Sequence, residues 1–146
     1  MTKILFICHG NICRSPMAEF ILKDMVKRAG REQDFEIASA ATSREEIGND
    51  LYPPAKACLS AHKVPFGRHR ARQITREDLE RYDCIVAMES YNIRNLERLL
   101  GPSDKYRLLL DFTDTPGGIA DPWYSGDFEL SFRQITEGCE GILRTL

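Results

Sequence analysis

Short β-rich segments alternate with helical segments along almost the whole chain, and this alternation constrains the fold more than any other feature. The β-rich runs lie at residues 3–7, 35–40, 83–88 and 106–110. Strands separated by helices pair in parallel through right-handed crossovers, which leave helices on both faces of the sheet. We therefore predict an α/β fold, in which residues 1–146 form a single three-layer domain around a four-stranded parallel sheet.

Apolar residues at helical spacing mark the segments between the strands. Met17 and Ile21 begin such a stripe after the first strand, and further helices are expected at 53–62, 93–100 and 128–146. We expect the flavodoxin-like strand order 2-1-3-4. Ligands of such sheets bind outside the carboxyl ends of the strands.

Charge and hydropathy narrow the classes of partner. The 146 residues carry 20 basic and 22 acidic side chains, and the net charge of −2 is spread along the chain. Such a chain has no basic field for nucleic acid. The first apolar run, residues 4–8, is too short for a signal peptide or a membrane span. We therefore expect a cytoplasmic protein with no nucleic-acid and no membrane partner.

The five cysteines are Cys8, Cys13, Cys58, Cys84 and Cys139. Their number is odd and their spacings are not those of paired metal ligands. Neither a disulfide framework nor a metal site is expected, and free thiols in a reducing compartment account for the pattern.

The loop after the first strand carries the strongest chemical signal. Five residues separate Cys8 from Arg14, with Gly10 to permit a tight backbone and Ser15 and Pro16 suited to a helix start. Successive backbone N–H groups and the helix N-terminus would cradle a phosphate, and the planar arginine could hold two of its oxygens. The same field favours the thiolate form of the cysteine, which is the nucleophile. Its attack on phosphorus would form a phosphocysteine with no cofactor.

An isolated pair of this spacing has a simpler reading. Cys8 could be a buried apolar residue at a strand end and Arg14 an ordinary surface residue. The position between a strand and a helix, with Gly10 and Asn11 in the loop, favours the phosphate-binding interpretation.

Residues 8–16, Cys-His-Gly-Asn-Ile-Cys-Arg-Ser-Pro, resemble the signature loop of the low-molecular-weight protein tyrosine phosphatases. Segments 39–42, 71–74, 87–89 and 121–124 are similar to later landmarks of that family, in the same order. The resemblance covers the chain. It implies a hydrolase that acts on phosphotyrosyl proteins as a monomer or weak dimer.

The departing phenolate needs a proton donor. Asp111, Asp114, Asp121 and Asp127 are all candidates by residue type. The resemblance selects Asp121, in an Asp-Pro-aromatic-aromatic loop, as general acid and later general base.

The resemblance also implies residues that bind phosphate or support the loop, and residues that line the rim. Loop support and phosphate binding are expected from His9, Gly10, Asn11, Ile12, Cys13, Ser15, Ser39 and His62. The rim is expected to comprise Ile12, Glu45, Trp123 and Tyr124. From the residues alone, Ser15 could be a plain helix cap and His62 an ordinary surface or core histidine.

Three further positions bear on the site. Cys13 could trap Cys8 as a reversible disulfide, as in the family, or it could simply pack in the loop. Arg44 and Glu45 replace the small and aromatic residues usual in the family, which leaves the substrate preference open. Glu89 stands where aspartate is usual, and we expect it to help position the arginine of the loop.

Other activities are compatible with parts of this pattern. Arginine phosphatases of the same scaffold resemble the chain but have threonine where Ile12 stands. Arsenate reductases need a further cysteine pair near the middle of the chain, where only Cys84 is present. A phosphocysteine carrier would need no general acid.

Overall fold

Four parallel strands form the centre of the molecule. The computed structural model describes residues 1–146. The strands are β1 (Thr2–Cys8), β2 (Phe35–Ala41), β3 (Cys84–Ala87) and β4 (Tyr106–Leu108). They lie in the order β2-β1-β3-β4, and every neighbouring pair is parallel. The predicted α/β fold and the strand order 2-1-3-4 are confirmed.

Six helices surround the sheet: α1 (Arg14–Arg28), α2 (Pro53–Ala61), α3 (Arg76–Arg81), α4 (Ser90–Leu100), α5 (Pro122–Ser125) and α6 (Phe128–Thr145). The helices predicted at 53–62, 93–100 and 128–146 are α2, α4 and α6. None of the six has both the length and the apolar composition that a membrane crossing requires.

The fourth strand is shorter than its sequence indicates. Residues 106–110 were predicted as a strand, but β4 ends at Leu108 and a 3₁₀ turn follows over Leu109–Phe112. The Asp111 carboxylate accepts a hydrogen bond from the Leu108 backbone N–H, which closes this turn. Leu109 and Leu110 are apolar because the turn buries them under the helices, and not because they continue the strand.

The two faces of β1 pack into different cores. Ile4 and Phe6 point to the larger core, which α1, α2 and α6 cover. Leu5 and Ile7 point to a smaller core beneath α3 and α4. This alternation is the period of a strand, and it explains why residues 4–8 of β1 are all apolar.

The chain changes direction across β1. The first crossover places β2 on one side of β1, and the next places β3 on the other. The loops that leave the carboxyl ends of β1 and β3 therefore diverge and leave a crevice between them, which is where ligands of open parallel sheets bind. Cys8 is the last residue of β1 at this edge.

Candidate active site

A cleft of about 760 Å³ opens at the carboxyl edge of the sheet. The loop between β1 and α1 forms its floor, from Cys8 to Arg14. Segment 118–121 and residues from the loop before α2 and the start of α4 form its walls. All of the residues predicted to act in catalysis, namely Cys8, Arg14 and Asp121, line this one cleft.

The Cys8 thiol lies at the bottom of the cleft and is 3% exposed. Its Sγ accepts the backbone N–H of Asn11 at 3.2 Å and lies 3.0 Å from Ser15 Oγ. The sulfur is thus surrounded by hydrogen-bond donors at the N-terminus of α1, a setting that stabilises negative charge.

Asn11 holds the loop in shape. Its φ of 60° is left-handed, a conformation that asparagine tolerates better than most residues. Gly10, which was expected to permit a tight backbone, has no positive φ, and a Cβ there would make only ordinary contact with Glu46. The Asn11 side chain is fully buried and bonds Ser15, Ser39 and the backbone of Arg72.

The direction of these bonds determines which way the Ser15 hydroxyl points. Asn11 Oδ1 accepts the Arg72 N–H, so Nδ2 must donate, and it reaches Ser15 Oγ at 2.8 Å and Ser39 Oγ at 3.0 Å. The Ser15 oxygen therefore already accepts one bond and keeps its own hydrogen free. Cys8 Sγ lies 3.0 Å away, and as a thiolate it can only accept that hydrogen. Ser15 lies inside α1 and is not its N-cap, which is Cys13.

The Arg14 guanidinium is 3% exposed and is held by three partners. Nη1 donates to Glu89 Oε2 at 2.6 Å and to the Ile119 carbonyl at 2.9 Å, and Nη2 donates to Asp121 Oδ2 at 3.3 Å. Glu89 thus contacts the arginine, as the family resemblance implied. The planar group is oriented before any ligand arrives.

Asp121 is the one candidate acid in the cleft. It is the N-cap of α5, where Oδ1 accepts the Trp123 N–H at 3.0 Å, and its Oδ2 faces Arg14. Asp111 closes the turn after β4, and Asp127 caps α6 by accepting the Leu130 N–H. Asp114 lies exposed in the loop between them.

His62 does not belong to the hydrogen-bond network of the loop, so that prediction is wrong. Its Nε2 lies 2.7 Å from Glu129 Oε2, and its ring stacks on Phe132. His69 takes the expected place, with Nε2 2.6 Å from the Asn11 carbonyl oxygen. His69 precedes the 71–74 segment that contacts the loop, and this proximity is the signal that could have identified it.

A second supporting residue was also missed. Glu19 Oε1 accepts the Ser39 hydroxyl at 2.6 Å, so the network runs from Cys8 through Ser15, Asn11 and Ser39 to a carboxylate. Glu19 follows Ser15 by one helical turn on α1. The i, i+4 spacing was the available signal.

The rim of the cleft combines aromatic and acidic side chains. Trp123 is 51% exposed and Tyr124 is 87% exposed, and both line the cleft with Ile12. Glu45 also lies at the rim and meets His9 Nε2 at 2.9 Å. Tyr91 on α4 joins this rim although nothing in its sequence context singled it out.

The remaining cysteines differ in their surroundings. Cys13 lines the cleft, and burial, followed by the charge of Cys8, raises the pKa of its thiol to about 12. Cys58 and Cys139 are buried, and Cys84 is half-buried. All five cysteines are free thiols.

Comparison with known proteins covers the whole chain. The family model for low molecular weight phosphotyrosine protein phosphatase matches residues 3–146. The low molecular weight protein-tyrosine-phosphatase YfkJ of Bacillus subtilis is 35% identical over 150 residues, which span 100% of this chain and 96% of that protein. The human low molecular weight phosphotyrosine protein phosphatase is 36% identical over 155 residues, which span 96% of this chain and 92% of that protein.

Solved structures agree with the sequence comparison. The crystal structure of YfkJ superposes with a TM-score of 0.95 at 35% identity, covering 99% of this chain and 94% of that chain. A low molecular weight protein tyrosine phosphatase from Streptococcus pyogenes gives a TM-score of 0.89 at 34% identity, covering 100% of this chain and 93% of that chain. On these matches in sequence and in fold, the chain belongs to the low molecular weight phosphotyrosine protein phosphatase family.

Proposed function

We propose that this chain hydrolyses phosphotyrosine in proteins through a phosphocysteine formed on Cys8. The observation that carries the proposal is the meeting of a buried thiol, a clamped arginine and a carboxylic acid in one cleft. Arg14 Nη2 lies 3.3 Å from Asp121 Oδ2, the loop that connects Arg14 to Cys8 lines the same cleft, and the Asn11 N–H of that loop donates to Cys8 Sγ. Nucleophile, anion cradle and acid therefore surround one phosphate-sized position.

Binding of phosphate would use the free edge of Arg14. Both hydrogens of Nη1 are engaged, by Glu89 and by the Ile119 carbonyl. The edge formed by Nε and Nη2 is left for two phosphate oxygens, in the fork geometry that suits arginine. The phosphate would then displace Asp121 from Nη2 and free its carboxyl group for proton transfer.

The first chemical step transfers the phosphoryl group to sulfur. The Cys8 thiolate attacks phosphorus, the S–P bond forms, and the bond from phosphorus to the phenolic oxygen breaks. Asp121 gives its proton to that oxygen, so tyrosine leaves as a neutral phenol. Arg14 and the loop N–H groups stabilise the equatorial oxygens during transfer.

The second step regenerates the enzyme. Water attacks the phosphorus of the phosphocysteine while Asp121, now a carboxylate, accepts a proton from the water. The S–P bond breaks, and inorganic phosphate leaves together with a restored Cys8 thiolate. The Ser15 hydroxyl, which already points at the sulfur, stabilises that leaving thiolate.

The test compares two substrates that differ in their need for an acid. We expect Cys8→Ser to abolish hydrolysis of p-nitrophenyl phosphate and of a phosphotyrosyl peptide, both assayed without added metal. Asp121→Asn should slow the peptide by about 10²- to 10⁴-fold and p-nitrophenyl phosphate less, because p-nitrophenolate leaves without a proton. The measurement is kcat for each variant and substrate.

Asp114→Asn is the matched control, since Asp114 is an exposed acid of the same connecting segment. It should keep the wild-type rate on both substrates. Full activity in Cys8→Ser would contradict the phosphocysteine mechanism. An equal loss on both substrates in Asp121→Asn would remove the general-acid role.

Phosphotyrosine is the favoured substrate because of the rim. Ile12, Trp123 and Tyr124 offer apolar surface to a phenyl ring, and the depth of Cys8 beneath them suits a long side chain. Hydrolysis of phosphotyrosyl, phosphoseryl and phosphoarginyl peptides of one sequence should be compared. A preference for phosphoarginine would overturn the assignment of tyrosine.

We also propose that Cys13 protects Cys8 from irreversible oxidation. Peroxide would convert the Cys8 thiolate to a sulfenic acid, and the Cys13 sulfur would then form a disulfide with release of water. Wild type should lose two hydrogens from the loop peptide after mild peroxide and recover with dithiothreitol. Cys13→Ser should instead progress to the sulfinic acid. Because Cys8 must stay reduced to act, we propose a cytoplasmic location.

A further inference from the structure

A second group of chemically competent side chains lies away from the cleft, where the end of α2 meets the start of α6. Cys58 lies in the last turn of α2, and His62, four residues later, is the C-cap of that helix. Glu129 lies in the first turn of α6. One ligand atom from each of the three falls within 4.8 Å of the others.

The contacts within this group are tight. Cys58 Sγ lies 3.7 Å from Glu129 Oε1, and His62 Nε2 lies 2.7 Å from Glu129 Oε2. Phe132 stacks on the imidazole at a centroid distance of 3.9 Å and an angle of 12°, which fixes the orientation of the ring. The three side chains are therefore held together by direct contacts, with Glu129 between the thiol and the imidazole.

We propose that Cys58, His62 and Glu129 form a binding site for Zn²⁺ that joins α2 to α6. A thiolate, an imidazole and a carboxylate are the three donor types that zinc uses, and a thiolate disfavours magnesium and calcium. Ligand atoms around tetrahedral zinc are about 3.3 to 3.8 Å apart, and the separation between Cys58 Sγ and Glu129 Oε1 lies in that range. His62 Nε2 contacts the other carboxylate oxygen, Oε2, so the imidazole and the carboxylate must rearrange for one zinc ion to bind both.

The solvent exposure of the three side chains determines what kind of zinc site they can form. Cys58 is 5% exposed, whereas the side chains of His62 and Glu129 are 37% and 67% exposed. The ion would sit between a buried sulfur and the solvent, with water as its fourth ligand. The Cys58 thiol lies 3.7 Å from both the Phe128 carbonyl oxygen and Glu129 Oε1. Zinc would replace the thiol proton, which goes to solvent, and the hydrogen between His62 Nε2 and Glu129 Oε2, which must leave Nε2 so that its lone pair can bind the metal.

Zinc binding would stabilise the folded chain, because the three ligands come together only when α2 and α6 are packed. At a free Zn²⁺ concentration of about 100 times Kd, the Tm should rise by about 5 to 10 °C. This expected rise in Tm does not depend on the phosphatase reaction or on the residues proposed to carry it out. Failure of the zinc site and failure of the proposed function are therefore separate results.

The experiment uses Co²⁺ as a spectroscopic probe, and Zn²⁺ to displace it, on the whole protein in a non-chelating reductant. Wild type should develop a sulfur-to-cobalt charge-transfer band together with the visible bands of tetrahedral cobalt. Cys58→Ser should lose the charge-transfer band. His62→Gln and Glu129→Gln should each weaken Zn²⁺ binding by about tenfold or more.

Two cysteine variants separate this site from other thiols. Cys8→Ser removes the thiol of the cleft, and Cys84→Ser removes a half-buried thiol of β3, the matched control. Both should keep the band and the rise in Tm. Absence of a band in wild type, its survival in Cys58→Ser, or its loss in Cys8→Ser would overturn the proposal.

Discussion

Arg14 shows how a single residue depends on partners that the sequence places far away. Its guanidinium is buried, and its contacts come from Glu89 after β3 and from Ile119 and Asp121 before α5. A buried cation is stable only when its hydrogens are bonded and its charge is balanced. Glu89 supplies the shortest of these contacts, and it therefore positions the arginine for phosphate.

Removal of that carboxylate should loosen the clamp without removing the arginine. We expect Glu89→Ala to lower kcat by about tenfold, because a small displacement of a positioning group costs catalysis. Inhibition by inorganic phosphate should weaken in parallel, and Glu89→Asp should restore part of both. Initial rates with and without phosphate measure the two effects.

Glu97→Ala is a suitable comparison for this variant. Glu97 is an exposed acid of α4, and Glu89 is the N-cap of that helix. Its kcat and its inhibition by phosphate should match wild type. Unchanged kinetics in Glu89→Ala would remove the positioning role of Glu89.

The sequence identified the residues that share the cleft better than the residues that support them. Cys8 and Arg14 lie where local patterns put them, at a strand end and at a helix start, whereas Asp121 was selected among four candidate acids by the family resemblance. His62 and His69 both follow α2, and either could be the supporting histidine from sequence alone. The closeness of His69 to the 71–74 segment favours His69, but the contact itself depends on the path of the chain back toward Asn11, which is a long-range property.

At the scale of elements, α6 depends on two glycines to approach the turn after β4. An ideal Cβ on Gly138 would lie 2.4 Å from Leu109 Cγ, and one on Gly141 would lie 2.1 Å from the Phe112 carbonyl oxygen. A side chain can rotate away from such a clash, whereas a backbone carbonyl cannot. Gly141 is therefore the stricter of the two positions.

Gly141→Ala should destabilise the fold although alanine is the better helix former. The helix preference favours alanine by about 1 kcal/mol, but the clash with Phe112 forces the helix away from the turn. We expect a net loss of about 2 kcal/mol or more in the free energy of unfolding. Urea unfolding measures it, with Glu140→Ala, exposed on the same helix, expected within about 0.5 kcal/mol of wild type. Equal stability of Gly141→Ala and wild type would show that the approach is not tight.

The N-terminus of α3 is tied by one carboxylate. The Asp78 carboxylate accepts hydrogen bonds from both Nη groups of Arg72 and from the backbone N–H of Thr75. Burial alone would raise the pKa of Asp78, but the bonds from Arg72 and Thr75 outweigh it and hold that pKa below its usual 3.8. The backbone N–H of Arg72 also donates to Asn11 Oδ1, so the cap of α3 is connected to the loop that forms the floor of the cleft.

The contribution of Asp78 to the free energy of unfolding should depend on pH in a defined direction. Because its folded pKa is lower than its unfolded pKa, its contribution is full above pH 3.8 and disappears as pH falls through the folded value. We expect Asp78→Asn to lose about 1 to 3 kcal/mol at neutral pH and the difference from wild type to vanish in acid. Urea unfolding between roughly pH 7 and pH 2 tests this.

Glu77→Gln, an exposed first-turn acid of the same helix, is the control for Asp78→Asn. It should follow wild type closely at every pH. A gap between Asp78→Asn and wild type that persists at the acid end would contradict the assigned direction of the shift.

Local sequence patterns predicted the type of each element, but they did not predict where β4 ends. Strand β4 was predicted to reach Leu110 because apolar residues continue through it. The structure turns after Leu108 because Asp111 captures its N–H and α6 covers the leucines that follow. Apolar character reports burial, and only the partner of each residue decides between strand and turn.

At the scale of the molecule, the strand order was predictable because strands alternate with helices and crossovers are right-handed. The sequence does not show how different in size the cores on the two faces of the sheet are. The core under α1, α2 and α6 contains 24 buried residues, and the core under α3 and α4 contains 8. Burial of apolar surface is the main stabilising term, so the two sides are held with different free energies.

This asymmetry should be visible in native-state hydrogen exchange. The amides of Ile4 to Ile7 in β1 lie between both cores and should exchange only by global unfolding, with the full dependence on urea. The amides of α4 rest on the smaller core and should exchange through a local opening of lower free energy and weaker urea dependence. Leu96→Ala should lower that opening energy further and leave the α1 amides ahead of α4 in protection. If α4 and β1 instead exchange with one free energy at every urea concentration, the two cores open as a single unit and the predicted asymmetry is wrong.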